Sequence, residues 1–222
     1  MREILFDTET TGFDPLSGDR IIEIGCVEMI NKSLTGEKFH TYINPQRDVP
    51  EGAVKIHGIT TDFLKDKKPF PDIVGEFMEF IGEDTVLVAH NATFDMKFIN
   101  WELENAGHPI LPQARFKDTL AIARIKFPGA ANSLDALCKR FGIDNSNRAL
   151  HGALLDSEIL ADVYIELEGG RQTGLDLSYS KVTIKSSDVK QARPKREFSP
   201  SPEELSAHQD FIDQLTNPLW KQ

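Results

Sequence analysis

Two carboxylates, two residues apart, end the apolar run in Ile4-Leu5-Phe6-Asp7-Thr8-Glu9-Thr10-Thr11-Gly12. On an extended chain successive side chains alternate, so Asp7 and Glu9 share a face, and the apolar residues before them mark a buried strand. Two acids at the end of such a strand repel each other and lose hydration unless a cation neutralises them. A hard divalent ion such as Mg2+ meets that demand, because it takes carboxylate oxygens and keeps several waters. The same residues also suit a strand that runs out into solvent. His90-Asn91-Ala92-Thr93-Phe94-Asp95 sets a third acid in the first turn of a helix, where the helix dipole alone would favour it. His151-Gly152-Ala153-Leu154-Leu155-Asp156 adds a histidine and a fourth acid. Five helical residues turn about 140°, so these two meet only if His151 sits in the loop or the first turn; otherwise they are a surface histidine and a helix-face acid. As a set, four acids and a histidine at the ends of different elements suit two-metal hydrolysis of a phosphodiester, with cations roughly 4 Å apart. Histidine is the base able to take a proton near neutral pH.

Such residues need elements to carry them. Alternation predicts strands at Glu3–Glu9, Arg20–Ile30 and Glu37–Ile43, joined as a meander of three antiparallel strands, with turn-rich GFDPLSGD and INPQRDVPEG around them. A further strand, Thr85–Ala89, enters a helix through Phe94, Phe98, Trp101 and Leu103 that stops before Gly107 and Pro109. Helices are expected at Pro71–Ile81, Thr119–Phe127, Ser133–Phe141, with Ser133 as cap and Gly142 as stop, and Gly152–Leu167. Strands first and alternating elements later predict an α/β domain, a mixed sheet covered by helices.

The chain has 222 residues, enough for one main core and a remainder. No apolar run nears the roughly 18 residues that span a bilayer, and the first residues lack a secretory layout, so a soluble cytoplasmic protein without membrane contact is expected. Cys26 and Cys138 form neither a disulfide framework nor a zinc motif. The net charge of -10 argues against a protein that grips many phosphates with a basic surface. That charge is organised: residues 1–168 carry 17 basic and 28 acidic side chains, residues 169–200 carry 7 and 3. We therefore expect a catalytic domain over 1–168, a flexible basic linker over 169–200 and a helical segment over 201–222. Ser201-Pro202-Glu203-Glu204 spells a capped helix start. Leu205, Ile212 and Leu215 then share a face before Pro218, with Leu219 and Trp220 beyond. So short a helix is marginal alone, so its apolar face either packs on the core or docks on another protein, and the long tether favours the partner.

DTETTG at 7–12, IIEIG at 21–25, IHGIT at 56–60, HNATFD at 90–95, NSLDALC at 132–138 and LHGALLD at 150–156 together resemble the DEDDh superfamily of 3′-5′ exonucleases. Within it, the order and wording are most similar to the proofreading subunits of bacterial replicative DNA polymerases. The resemblance implies a ribonuclease H-like fold with a flexible C-terminal tail, two divalent ions, Mg2+ or Mn2+, and release of nucleoside 5′-monophosphates. It implies Asp7 bridging both metals, Glu9 and Asp156 as further ligands, Asp95 on the second metal directly or through water, and His151 as general base. Thr10 and Thr11 would lie along the terminal nucleotide, His57 and Phe94 would touch its sugar or base, and Glu51 its 3′-hydroxyl, with His90 and Asn91 as supports. The implied partners are a DNA 3′ end, the polymerase's catalytic subunit through the tail, and the sliding clamp through Gln172–Leu177. Loaded metals, rather than lysines, would then draw the phosphate, and no Arg, Asn or Gln set that reads bases is evident near the site. Two rival readings are an RNA-trimming member of the superfamily, of the ribonuclease T or oligoribonuclease type, and a non-catalytic adaptor between clamp and polymerase.

Overall fold

The computed structural model describes residues 1–146, 148, 150–170 and 199–215. β1 (Arg2–Thr10) pairs antiparallel with β2 (Ile21–Ile30), and β2 with β3 (Ser33–Tyr42), the expected meander. β3 begins four residues before the expected Glu37. Asn31 and Lys32, at φ 50° and 65°, form a two-residue turn of the hand that matches strand twist, so pairing resumes at Ser33. Ser33–Gly36 are exposed, and nothing in their polarity marks a strand. β4 (Val86–Ala89) and β5 (Phe116–Asp118) extend the other edge in parallel, giving the order β3-β2-β1-β4-β5.

Two short helices, α1 (Glu51–His57) and α2 (Thr61–Leu64), stand where sequence patterning shows only turns. Seven and four residues, one of them Gly52, are too few to display a helical period. They cover a small cluster of Ile22, Val49, Ile59 and Leu64. The larger helices lie on both faces of the sheet. α3 (Phe70–Ile81) and α4 (Ala92–Asn105) pack Phe77, Ile81 and Phe98 against Ile4 and Phe6. α5 (Thr119–Lys126), α6 (Leu134–Phe141) and α7 (Ala153–Leu167) pack Leu137, Leu160 and Val163 against Leu5, Val27 and Val88. Ser133 accepts from Ala136 N–H, and Gly142 takes the left-handed stop at φ 69°, as the residue types require.

Alternation along β1 carries directly into function. Ile4 and Phe6 face one layer and Leu5 the other, so Asp7 and Glu9 point toward α7. β4 pairs with β1 only as far as Leu5↔Val88. Beyond that point the first turn of α4 comes alongside β1, and Thr8 Oγ1 donates to Asp95 Oδ1 at 2.7 Å. Acids from opposite faces thus meet at the carboxyl ends of parallel strands, where α/β sheets place their ligands.

The chain divides into two units, Met1–Leu175 and Asp176–Gln222. In the second, α8 (Pro202–Asp213) starts with the full capping box: Ser201 Oγ accepts from Glu204 N–H, and Glu204 accepts from Ser201 N–H. The linker between 171 and 198, the clamp-type peptide at 172–177, Leu219 and Trp220 lie outside the described residues. Among the described residues no helix is long and apolar enough to cross a membrane.

Candidate active site

The helix that presents Asp156 starts without a side-chain cap of its own, because Gly152 stands at the cap position. The cap comes from β2: Glu23, buried, accepts Ala153 N–H at 3.1 Å and is pinned on its other oxygen by His40 Nε2 at 2.7 Å. Ser157 Oγ lies 2.8 Å from Gly25 O, which fastens the next turn to the same strand. His151 stays in the loop just before Gly152, and its N–H donates to Ile56 O of α1 at 3.2 Å. The β4-to-α4 junction is held just as closely. Asn91 takes a left-handed conformation at φ 71°, its N–H donates to Asp118 Oδ1 at 3.0 Å, and Asp118 also caps α5. Asparagine tolerates that conformation where most residues do not. His90 Nδ1 sits 2.9 Å from Thr119 Oγ1. His90 and Asn91 therefore set where α4 begins, and with it Asp95.

Asp7, Glu9, Asp95 and Asp156 line one cavity of about 280 Å3, with His151 and Arg148 at its wall. Ligand atoms of Glu9, His151 and Asp156 lie within 4.8 Å of one another, a set that fits a single divalent ion. His151 Nδ1 is 3.2 Å from Asp156 Oδ2, so the loop placement unites this pair. The electrostatics show the cost of the gathering. Burial, then the charges of Asp156 and Glu23, push Glu9 up to about 8. Burial pushes Asp95 up to about 7 against the hydrogen bond from Thr8. Asp7 is raised well above the carboxylate range by burial and by Asp95, Glu9 and Asp156, with Arg148 opposing. A cluster so short of positive charge fits divalent cations by its donor chemistry alone.

A pH dependence follows. A carboxyl whose pKa rises on folding holds its proton more tightly in the native chain, so stability falls as pH climbs through the raised value. His57 and His90, both lowered by burial, act in the opposite sense but only below their ordinary value of 6.5. In EDTA, calorimetry should therefore record stability falling by ~1 kcal/mol per pH unit between about pH 6.5 and 8.5. Saturating Mg2+ should flatten the fall, and a thermal midpoint that rises with pH across this window would contradict the cluster.

Thr10, Thr11, His57 and Phe94 line a second, largely apolar cavity of about 350 Å3 that shares Glu9 and Phe94 with the first. Thr10 Oγ1 donates to Gly12 O, and Thr11 Oγ1 bonds Asp19 and Arg20 N–H, so both hydroxyls serve to hold their own loop. His57 Nδ1 accepts Ile59 N–H at 3.0 Å, which leaves the ring proton on Nε2, a buried atom with no partner among the described residues. Glu51 is exposed at the start of α1, outside the lining of either cavity. Arg148 is the residue that sequence reasoning passed over. No motif marks it, yet Arg148 bonds both oxygens of Asp156, at 2.5 and 2.7 Å. Glu23, Thr8 and Asp118 escape notice because each acts on a residue 27 to 130 positions away.

Comparison with known proteins meets this geometry from another side. A ribonuclease T-type family model described as exonuclease matches residues 4–164. DNA polymerase III subunit epsilon of Rickettsia typhi is 49% identical over 223 residues, covering 97% of both chains. The protein of the same name from Escherichia coli K12 is 43% identical, covering 96% of this chain and 92% of its own. Among solved structures, exonuclease X in complex with 5′-overhanging duplex DNA aligns at a TM-score of 0.58 and 28% identity over 74% of this chain and 89% of its own. The sheet and its helices form the ribonuclease H-like exonuclease fold.

Proposed function

This chain belongs to the exonuclease family, and from that premise we propose that it is the proofreading subunit of a DNA polymerase III, a metal-dependent 3′-5′ exonuclease of the cytoplasm. One observation carries the reading: four carboxylates from β1, α4 and α7 line a single cavity with an imidazole at its wall. That the similarity to polymerase subunits runs over 97% of the chain supports the replication reading over the RNA-trimming one. The complete acid set counts against a mere adaptor.

Asp7 would bridge two cations, Mg2+ or Mn2+, with Glu9, Asp156 and Asp95 as the further ligands. When bound, these ions supply positive charge to the scissile phosphate as charge builds there. His151 takes the proton of the attacking water, a task for which an imidazole at the cavity wall is suited. Thr10, Thr11, His57 and Phe94 receive the terminal nucleotide in the neighbouring apolar cavity, and Glu51 is assigned its 3′-hydroxyl. That cavity's lining holds no Arg, Asn or Gln, which supports hydrolysis blind to sequence. Selection for errors then comes from the strand end, because a mispaired terminus is cheaper to unstack. Residues 169–200 act as a linker, with 172–177 docking on the sliding clamp, and 201–222 bind the polymerase's catalytic subunit.

Nucleotide release from a 3′-labelled primer tests the activity. Mispaired DNA ends should be shortened faster than paired ends in Mg2+ and not at all in EDTA, and faster turnover of matched RNA would favour the RNA-trimming reading. Removing residues 169–222 should spare hydrolysis of short single strands and abolish co-purification with the polymerase; a truncated chain that still co-purifies would refute the tether.

A further inference from the structure

The side chain of Arg148 is only 8% exposed, and its guanidinium is spread over three groups of the site. Nε and Nη2 hold the two oxygens of Asp156 at 2.5 and 2.7 Å, Nη2 also meets His151 Nδ1 at 2.7 Å, and Nη1 holds Asp135 Oδ1 at 2.7 Å. A guanidinium has donors and no acceptor, so at His151 it must face a lone pair. A neutral imidazole has one lone pair. With Arg148 on Nδ1, the ring proton therefore sits on Nε2, and no lone pair of the ring is left to take a proton from water. The alternative contact excludes this one: Nδ1 is 3.2 Å from Asp156 Oδ2, and a proton on Nδ1 that donates there would leave Nε2 free.

One side chain thus occupies both oxygens of a ligand carboxylate and the only lone pair of the base. Asp135 offers it another seat. That carboxylate is 62% exposed, is already bonded to Nη1, and is steadied by Asn145 Nδ2 at 2.9 Å. We propose that Arg148 is an autoinhibitory latch: seated on Asp156 and His151 it withholds both, and shifting onto Asp135 it releases Asp156 to a divalent ion and His151 to the tautomer that accepts a proton. The inference rests on the nuclease reading of the site. Because arginine keeps its charge at all working pH values, the latch responds to competing cations rather than to protons. A divalent ion outcompetes a single guanidinium for the same oxygens by charge.

The test uses the full chain. Long-range proton–nitrogen NMR of the 15N-labelled protein in EDTA should place the His151 ring proton on Nε2, and Arg148→Met should move it to Nδ1. Calorimetric titration should show Mn2+ binding Arg148→Met about tenfold more tightly than the unaltered chain. Should that variant not fold, Arg148→Lys, a point charge that cannot bridge both oxygens, should shift both readouts in the same direction. Asp135→Asn should weaken Mn2+ binding about threefold in the unaltered chain and leave it unchanged in the Arg148→Met background. An unmoved ring proton, unchanged or weaker Mn2+ binding by Arg148→Met, or an equal effect of Asp135→Asn in both backgrounds would overturn the latch. No Mn2+ binding by the unaltered chain would instead overturn the nuclease reading beneath it.

Discussion

Asp7→Ala is expected to lower turnover by ~10^3-fold or more while leaving the fold intact. Asp7 lies opposite Gly25 across the β1–β2 ladder, so its loss removes no cross-strand side-chain contact. What is lost is the carboxyl that is raised by Asp95, Glu9 and Asp156 together, the one proposed to hold both cations. Charge held ready for a reacting phosphate by fixed ligands is worth more than charge in solvent, and the variant has lost two of the oxygens that would hold it. The same substitution removes Asp7's burial cost and its repulsion with Asp95, Glu9 and Asp156. Its thermal midpoint in EDTA at pH 8 should therefore rise, a sign opposite to that of an ordinary core truncation. Single-turnover kinetics and calorimetry check the two halves, and near-normal turnover would end the assignment.

Gly25→Ala should be the most damaging change in stability, at ~3 kcal/mol or more, with turnover down about 100-fold. A Cβ at position 25 would stand 2.2 Å from Leu154 N and 2.3 Å from Ala153 C. These are backbone atoms, so no rotamer change relieves the collision, and α7 must lift from β2. Lifting it breaks the bond from Ala153 N–H to Glu23 and the one from Ser157 to Gly25 O, and carries Asp156 away from Glu9. Gly75→Ala, in α3 with nothing within 4 Å of its added carbon, is the control and should stabilise by ~0.5–1 kcal/mol. Equal denaturation midpoints for the two variants would show that α7 does not depend on this close approach.

Much of the architecture is legible without coordinates, for local reasons. A strand's period of two puts Asp7 and Glu9 on one face, and the residue types at Ser133, Gly142, Ser201 and Pro202 mark helix ends that the backbone then makes. Elements without a local signature are not legible: α1 is seven residues with a glycine inside, β5 is three residues, and the start of β3 is exposed and polar. Nor could sequence tell whether His151 lies beside Asp156, since five helical residues separate faces unless the helix begins after His151, as it does at Gly152.

Side-chain identity and local periodicity thus determined which residues carry charge, which face of its element each takes and where most elements begin. Tertiary structure alone decided which of these faces meet. Glu23 caps a helix 130 residues downstream because Gly25, on the same strand, admits that helix's backbone, and Arg148 bonds Asp156 although no local pattern pairs them. The physical reason is that spacing along the chain sets direction within one element, whereas distance between elements follows from how closely their backbones pack, a quantity no single segment encodes.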